Sequence, residues 1–96
     1  MVIEAQGNTQ GIKVSILFDF GATDSFISSA LVAHSGVPMV KASSKWQVEL
    51  ASSSRLNTDV FAPDCKIQLE AFTTSVNLRV IPLGSYDLVF GMDWLE

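Results

Sequence analysis

The sequence ILFDFGATDSFIS, residues 16–28, decides how this chain is interpreted. Apolar and polar side chains alternate over residues 12–18, which predicts a strand with one buried face. Asp19 follows that strand directly, and the small residues Gly21 and Ala22 come just after it. A carboxylate at this point lies at the mouth of an apolar sheet, where it could act on a bound molecule. It could equally turn the chain and accept hydrogen bonds from its own loop, and the spacing alone favours neither role.

Short strands surround this segment on both sides. The alternation predicts strands at residues 2–6, 12–18, 46–50, 56–61, 65–70, 75–81 and 86–90. Turns are expected at residues 7–11, 63–64 and 82–85, because glycine, proline and aspartate cluster there. A short helix is predicted over residues 28–36, with a serine N-cap and Gly36 at its end, and another begins at Met92. The pattern predicts an all-β fold, mainly β with one or two short helices, forming one domain over residues 1–96.

The composition narrows the possible classes of function. The chain has 96 residues, of which 48% are hydrophobic and 17% charged, as in a folded domain rather than a disordered segment. Its net charge of −4 and its scattered Lys and Arg residues disfavour nucleic acid as a partner. We find no apolar run long enough to span a membrane and no signal-peptide pattern, and we therefore expect a cytoplasmic protein. The single cysteine fits a reducing compartment.

Several other residue patterns invite a functional interpretation that is weaker than the structural one. His34 and Cys65 could form a thiol–imidazole pair, but a histidine at a helix end and a buried apolar cysteine are the simpler expectation. One cysteine and one histidine cannot build a closed zinc site of Cys and His ligands, so no metal is predicted. Trp46 and Trp94 are expected to anchor the core or an interface.

Two separated segments together resemble a known family. The first is LFDFGATDSFIS at residues 17–28, and the second is VIPLGSYDLVFGMDWL at residues 80–95. They resemble, in order, the two signatures of retroviral-type (retropepsin-like) aspartic proteases, and look most like those of Ty3/gypsy-type long-terminal-repeat retrotransposons. Residues 46–58 stand where that family has its flap hairpin. The resemblance covers nearly the whole chain.

The resemblance implies a closed acid-protease barrel with one catalytic aspartate per monomer. A working enzyme would then be a homodimer in which each copy contributes Asp19 across a two-fold axis. The remaining site residues are implied in three groups. The active-site loop would comprise Phe20, Gly21, Ala22 and Thr23; the flap that binds substrate would comprise Leu50, Ala51, Ser52, Ser53 and Ser54; and the loop would be supported from behind by Val89, Phe90 and Gly91.

The chemistry implied by the resemblance is peptide hydrolysis without a metal or organic cofactor. Two carboxylates about 3 Å apart share one proton, so that one activates a water and the other donates to the peptide carbonyl. Activity is therefore expected to fall on both sides of a mildly acidic optimum. The substrate would be an extended peptide, and the biological target a retrotransposon polyprotein from which the domain itself could be excised.

Three features depart from the family pattern and leave a second hypothesis open. Phe20 replaces the usual Ser or Thr, whose hydroxyl bonds the two active-site loops to each other. The expected flap tip at residues 51–55 has no glycine, and the chain ends at Glu96, where retroviral relatives continue into an interface strand. The alternative is therefore a protease-like domain that has lost activity and serves as a binding or dimerisation module.

Overall fold

The protein is described by a computed structural model that covers residues 2–49 and 55–95. Over these residues the chain forms β1 (Val2–Thr9), β2 (Ile12–Asp19), β3 (Phe26–Ser28), α1 (Ser29–Ser35), β4 (Val40–Glu49), β5 (Arg55–Gln68), β6 (Thr73–Ile81), β7 (Leu88–Phe90) and α2 (Met92–Leu95). The predicted all-β class with short helices is confirmed. Neither helix in the described part of the chain has the length and apolar character to cross a membrane.

The strands of the described residues form one sheet in the order β1-β2-β7-β3-β6-β5-β4. An additional pairing of Asn8 with Gln68 joins β1 to β5, so the sheet curls back on itself as a barrel. Two of the pairings, β2 with β7 and β3 with β6, are parallel, and the others are antiparallel. The parallel pairing of β2 with β7 places the end of β2, where Asp19 lies, next to an interior strand rather than at an edge of the sheet.

Two apolar clusters fill the barrel. The larger contains Val14 and Ile16, whose burial confirms the alternation predicted for β2, together with Leu31 and Val32 of α1. Helix α1 ends at Gly36 in the left-handed conformation, with φ of 71°, as its glycine predicts. The smaller cluster consists of Phe26, Val48, Ile81 and Val89, which come from four different strands. It forms the base of the groove described below.

The prediction of a turn at Pro63 and Asp64 was wrong, because β5 continues through both residues. Ala62 pairs with Leu78 and Cys65 with Val76, so two residues of β5 oppose one residue of β6. This is a β-bulge, in which proline is tolerated because no ladder bond is required of it. Asp64 takes a φ of 48°, and its N–H donates a 2.9 Å hydrogen bond to Asn77 Oδ1.

Other boundaries also differ from the predicted ones, and the short strand β3 was not predicted. Strand β1 continues to Thr9, so the turn is confined to Gln10 and Gly11. Strand β4 begins at Val40 rather than Trp46, because an irregular stretch in its pairing with β5 still allows the ladder to extend. Strand β7 is limited to Leu88–Phe90, because its partners in β2 and β3 pair with no residue before Leu88.

Candidate active site

An apolar groove of about 230 Å³ opens at the end of β2. Its walls combine six apolar residues, Leu17, Ala22, Phe26, Val48, Ile81 and Val89, with the loop of residues 83–86. Asp19 is the one carboxylate among the described residues that line it. The groove thus places one carboxylate on a mostly apolar surface, which is the arrangement of a site that binds apolar groups beside a reactive carboxylate.

Asp19 is half-buried, and its carboxylate is oriented by the loop that follows. The N–H of Gly21 donates a 2.9 Å hydrogen bond to Asp19 Oδ1, and the N–H of Ala22 donates a 3.1 Å bond to the Asp19 carbonyl. A backbone donor directed at one carboxylate oxygen restricts its rotation. The other oxygen is left available for a ligand or a second carboxylate.

The segment of Val89, Phe90 and Gly91 lies directly behind this loop. Leu17 pairs with Val89 and Phe18 with Phe90 in the parallel β2–β7 ladder. Gly91 contacts the loop so closely that a Cβ atom there would lie within 2.8 Å of the Ala22 carbonyl oxygen, and nearer still to that of Asp24. No larger residue fits at position 91 unless the loop moves.

Hydrogen bonds join the loop to the start of α2. The hydroxyl of the fully buried Ser25 donates a 2.6 Å bond to Asp93 Oδ1 and accepts a 3.0 Å bond from the Gly91 N–H. The Asp93 N–H donates in turn to the Thr23 carbonyl at 3.1 Å. The loop that begins at Asp19 is therefore fixed at its far end as well as at its start.

An aromatic cluster underlies the same region. The rings of Phe18, Phe90 and Trp94 lie 5.1–5.4 Å apart, measured between centroids. The Trp94 indole N–H donates to Thr74 Oγ1 at 3.1 Å, so the ring is held in place. Trp94 is thus a core anchor, as predicted.

Phe20 is half-buried next to Asp19. The predicted flap residues, Leu50, Ala51, Ser52, Ser53 and Ser54, lie outside the described residues.

Cys65 and His34 do not form a nucleophilic pair. Cys65 is buried in the main cluster beside Thr9, whereas His34 is exposed on α1. Burial raises the pKa of the Cys65 thiol, and the opposing effect of the Thr9 hydrogen bond is smaller. A nucleophilic cysteine needs the reverse shift. Across residues 2–49 and 55–95, no group of three His, Cys, Asp or Glu side chains is placed to hold a metal ion.

Some residues around the groove were not singled out in the sequence. Ser25 and Asp93 fix the loop, and Arg79 donates a 2.9 Å hydrogen bond to Asp24 Oδ2. Tyr86 contributes to the groove wall, and its hydroxyl donates to Glu4. Ser25 and Asp93 lie within the two quoted signatures, so a search for polar partners between the signatures could have found them. Arg79 carries no such signal, since it lies in an ordinary alternating strand.

Comparison with known proteins decides the family. The sequence profile described as retroviral aspartyl protease matches residues 1–96. The chain belongs to the retroviral aspartyl protease family. No curated protein sequence matches it significantly.

Solved structures of similar fold include two that are named as proteases or protease-like domains. The retroviral protease-like domain of Ddi1 from Leishmania major superposes with a TM-score of 0.71 at 16% identity, covering 99% of this chain and 75% of that one. The simian foamy virus (mac) protease gives a TM-score of 0.63 at 11% identity, covering 97% and 91%. Lpg0085 of Legionella pneumophila, a protein of unknown function, superposes with a TM-score of 0.59 at 11% identity, covering 96% of this chain and 82% of that one. These likenesses establish the retropepsin-like fold of this family member.

Proposed function

We propose that this member of the retroviral aspartyl protease family is an aspartic endopeptidase that acts as a homodimer. The observation that carries the proposal is the placement of Asp19, held by the Gly21 N–H at the one carboxylate position of an apolar groove. One chain supplies one such aspartate, so a second copy must supply the other. Phe20, Gly21, Ala22 and Thr23 form the loop that presents Asp19, and Val89, Phe90 and Gly91 support it.

The two Asp19 carboxylates would share one proton and hold a water between them. The charged carboxylate accepts a proton from this water as its oxygen attacks the peptide carbonyl carbon. The protonated carboxyl group donates its proton to the carbonyl oxygen, which gives a neutral tetrahedral diol. In the collapse of the diol, the carboxyl group that took the water proton donates it to the amine nitrogen as the C–N bond breaks, and the other carboxylate accepts the proton of a diol hydroxyl, which restores the shared proton. No metal or cofactor takes part in these steps.

The lining of the groove favours one kind of substrate, an extended peptide that carries apolar side chains beside the cleaved bond. Leu17, Phe26, Val48, Ile81 and Val89 present hydrocarbon next to Asp19, and burial of apolar side chains there is favourable. A flap formed by Leu50, Ala51, Ser52, Ser53 and Ser54 would close over the peptide and supply backbone hydrogen bonds. We propose a Ty3/gypsy-type retrotransposon polyprotein as the natural substrate and residues 1–96 as one domain of it, acting in the reducing cytoplasm.

Cleavage of a mixed peptide library at several pH values between about 4 and 7, the range in which a carboxylate pair works, tests the proposal. We expect cleavage next to hydrophobic residues that Asp19→Asn abolishes without loss of folding. Asp64→Asn is the matched control, because it neutralises an exposed carboxylate in the β5 bulge, away from the groove. At low protein concentration the rate should rise with the square of concentration if the active species is a dimer. Full activity in Asp19→Asn would contradict the proposal.

Phe20 favours a second candidate, a protease-like module that binds peptide or dimerises without cutting. The aromatic side chain cannot make the hydroxyl bonds between loops that Ser or Thr makes in the family. Under this alternative the wild-type protein is folded and inactive at every pH, and Phe20→Thr is inactive as well. Cleavage by Phe20→Thr alone would identify a protease whose dimer is weakened by the phenylalanine.

A further inference from the structure

Arg79 contacts two separate parts of the site at once. It lies on β6, with its guanidinium Nη1 donating a 2.9 Å hydrogen bond to Asp24 Oδ2. The same guanidinium lies over the indole of Trp46, with its carbon 4.4 Å from the ring centroid. Trp46 in turn packs edge-on against Phe61 at 5.7 Å. One side chain therefore bridges a carboxylate and an aromatic ring that belong to different elements.

Both bridged elements contribute residues to the groove. Asp24 belongs to the loop that starts at Asp19 and ends at Ser25. Trp46 lies on β4, two residues before Val48, so the two side chains share one face of that strand. Val48 is buried and lines the groove. A displacement of β4 at Trp46 therefore changes both a groove wall and, through Arg79, the loop that holds Asp19.

The guanidinium is suited to this double contact in a way that an ammonium is not. Its planar face can stack on the indole while its edge donates to the carboxylate. The side chains of Arg79 and Asp24 are only 24% and 33% exposed, so solvent screens the pair less than it would at an open surface. A lysine in place of Arg79 could retain the attraction to Asp24 but not the stacked contact.

We propose that Arg79 is a positioning residue that couples the position of β4 to that of the Asp19 loop. Its effect on rate rests on the proposed endopeptidase function, whereas the mechanical coupling does not. The competing view is that Arg79 adds stability at each contact independently. In that case substitutions at Trp46 and at Asp24 would change the structure only around the substituted residue.

Backbone amide chemical shifts of the 15N-labelled protein test the coupling without any need for activity. The Gly21 N–H is a suitable reporter, because it donates directly to Asp19 Oδ1. We expect Trp46→Leu to shift the Gly21 and Asp24 amide signals, although Trp46 lies on another strand. In a protein that already carries Arg79→Met, adding Trp46→Leu should cause no further shift of the Gly21 amide signal. Arg79→Lys should resemble Trp46→Leu, since it loses the stacking and keeps the ion pair.

Lys41→Met is the matched control. Lys41 is also paired with a carboxylate, Asp59, at 3.8 Å, but its side chain is 78% exposed and it lies at the far end of β4. This variant should leave the Gly21 signal and the activity unchanged. If Arg79→Met is not folded, Arg79→Lys and Trp46→Leu decide the matter. An unmoved Gly21 signal in both variants, or equal shifts from Trp46→Leu with and without Arg79, would overturn the proposal.

If the protein cleaves peptides, steady-state kinetics provide a second test of the coupling. Trp46→Leu and Arg79→Lys should each lower kcat/KM roughly three- to tenfold, and the double variant should lose no more than either alone, as expected for residues that act as a unit. We expect most of the loss in kcat, because the loop holding Asp19 is displaced. Multiplicative losses would overturn the coupling. Absence of cleavage in both the wild type and Phe20→Thr would overturn the endopeptidase proposal and leave the amide-shift test of Arg79 standing.

Discussion

The hydroxyl of Ser25 donates a 2.6 Å hydrogen bond to Asp93 Oδ1, and its backbone N–H donates to Asp93 Oδ2 at 3.2 Å. The two residues lie 68 positions apart in the sequence, so this bidentate contact joins the two signature segments directly. It fixes the far end of the Asp19 loop to the first turn of α2. Because Ser25 is completely buried, its polar groups cannot turn to water if Asp93 is lost.

Asp93→Ala should therefore lower the free energy of unfolding by about 1–3 kcal/mol, the range for leaving a buried polar group without its charged partner. Urea unfolding followed by tryptophan fluorescence or circular dichroism measures it. Asp93→Asn is the control, because the amide oxygen can still accept from one of the Ser25 donors, and we expect a smaller loss. Equal stability of Asp93→Ala and wild type would show that the contact contributes nothing to folding.

Gly91→Ala should be destabilising because its added methyl group meets backbone rather than a flexible side chain. The atoms in the way are the carbonyl oxygens of Ala22 and Asp24. We expect a loss of about 1–3 kcal/mol in urea unfolding, as for an overpacked site, together with a displaced Asp19 loop. Gly84→Ala provides the comparison, since nothing lies within 4 Å of a Cβ atom there and its φ is not in the left-handed range. Similar stabilities for the two variants would contradict this account.

The sequence predicts the parts of this fold that depend on local patterns. The alternation of Val14 and Ile16 places β2 correctly, and Gly36 marks the end of α1, whereas Ser28 at the start of the helix makes no side-chain capping hydrogen bond, contrary to the predicted N-cap. Pro63 and Asp64 have the local composition of a turn, yet β5 continues through them as a β-bulge. Pairing with β6 decides this, and no signal within β5 itself reports that pairing.

The contacts that organise the site were less predictable than its motifs. The resemblance directs attention to Asp19 and Gly91, which lie in signatures of fixed spacing. Arg79 contacts Asp24, which lies 55 residues away in the sequence, and Trp46, which lies on another strand of the sheet. Its role therefore follows only from the strand order and register. In the alternating pattern of β6 an arginine indicates nothing more than a solvent-facing position.

The stability of the protein should fall at alkaline pH partly because of Cys65. Burial raises the pKa of its thiol, so the native state holds the thiol proton more tightly than the unfolded chain does. The stabilisation is complete below the ordinary thiol pKa of about 9 and is lost as pH rises through the raised value. In urea unfolding with reductant present, wild type should lose more stability than Cys65→Ala between about pH 7 and pH 10. Parallel pH profiles would contradict the prediction.

Asp87 anchors the groove wall formed by residues 83–86. Its Oδ2 accepts a 2.8 Å hydrogen bond from the Ser15 N–H and a 3.3 Å bond from the Ser15 hydroxyl, and its own N–H donates to the Ser15 carbonyl at 3.2 Å. The reciprocal bonds hold the end of the loop against β2. The loop's own contribution to the groove depends on that attachment, because Leu83, Gly84, Ser85 and Tyr86 immediately precede Asp87.

Asp87→Ala should raise the KM for peptide cleavage roughly five- to tenfold while changing kcat less, because the wall loosens and the Asp19 loop is untouched. Steady-state kinetics on one hydrophobic peptide measures both constants. Ser15→Ala is the matched control: it removes only the hydroxyl and keeps the stronger backbone bond to Asp87, so its KM should change less than Asp87→Ala. If Asp87→Ala lowered kcat alone, Asp87 would be acting on the Asp19 loop through β2, and its role in forming the groove wall would be refuted.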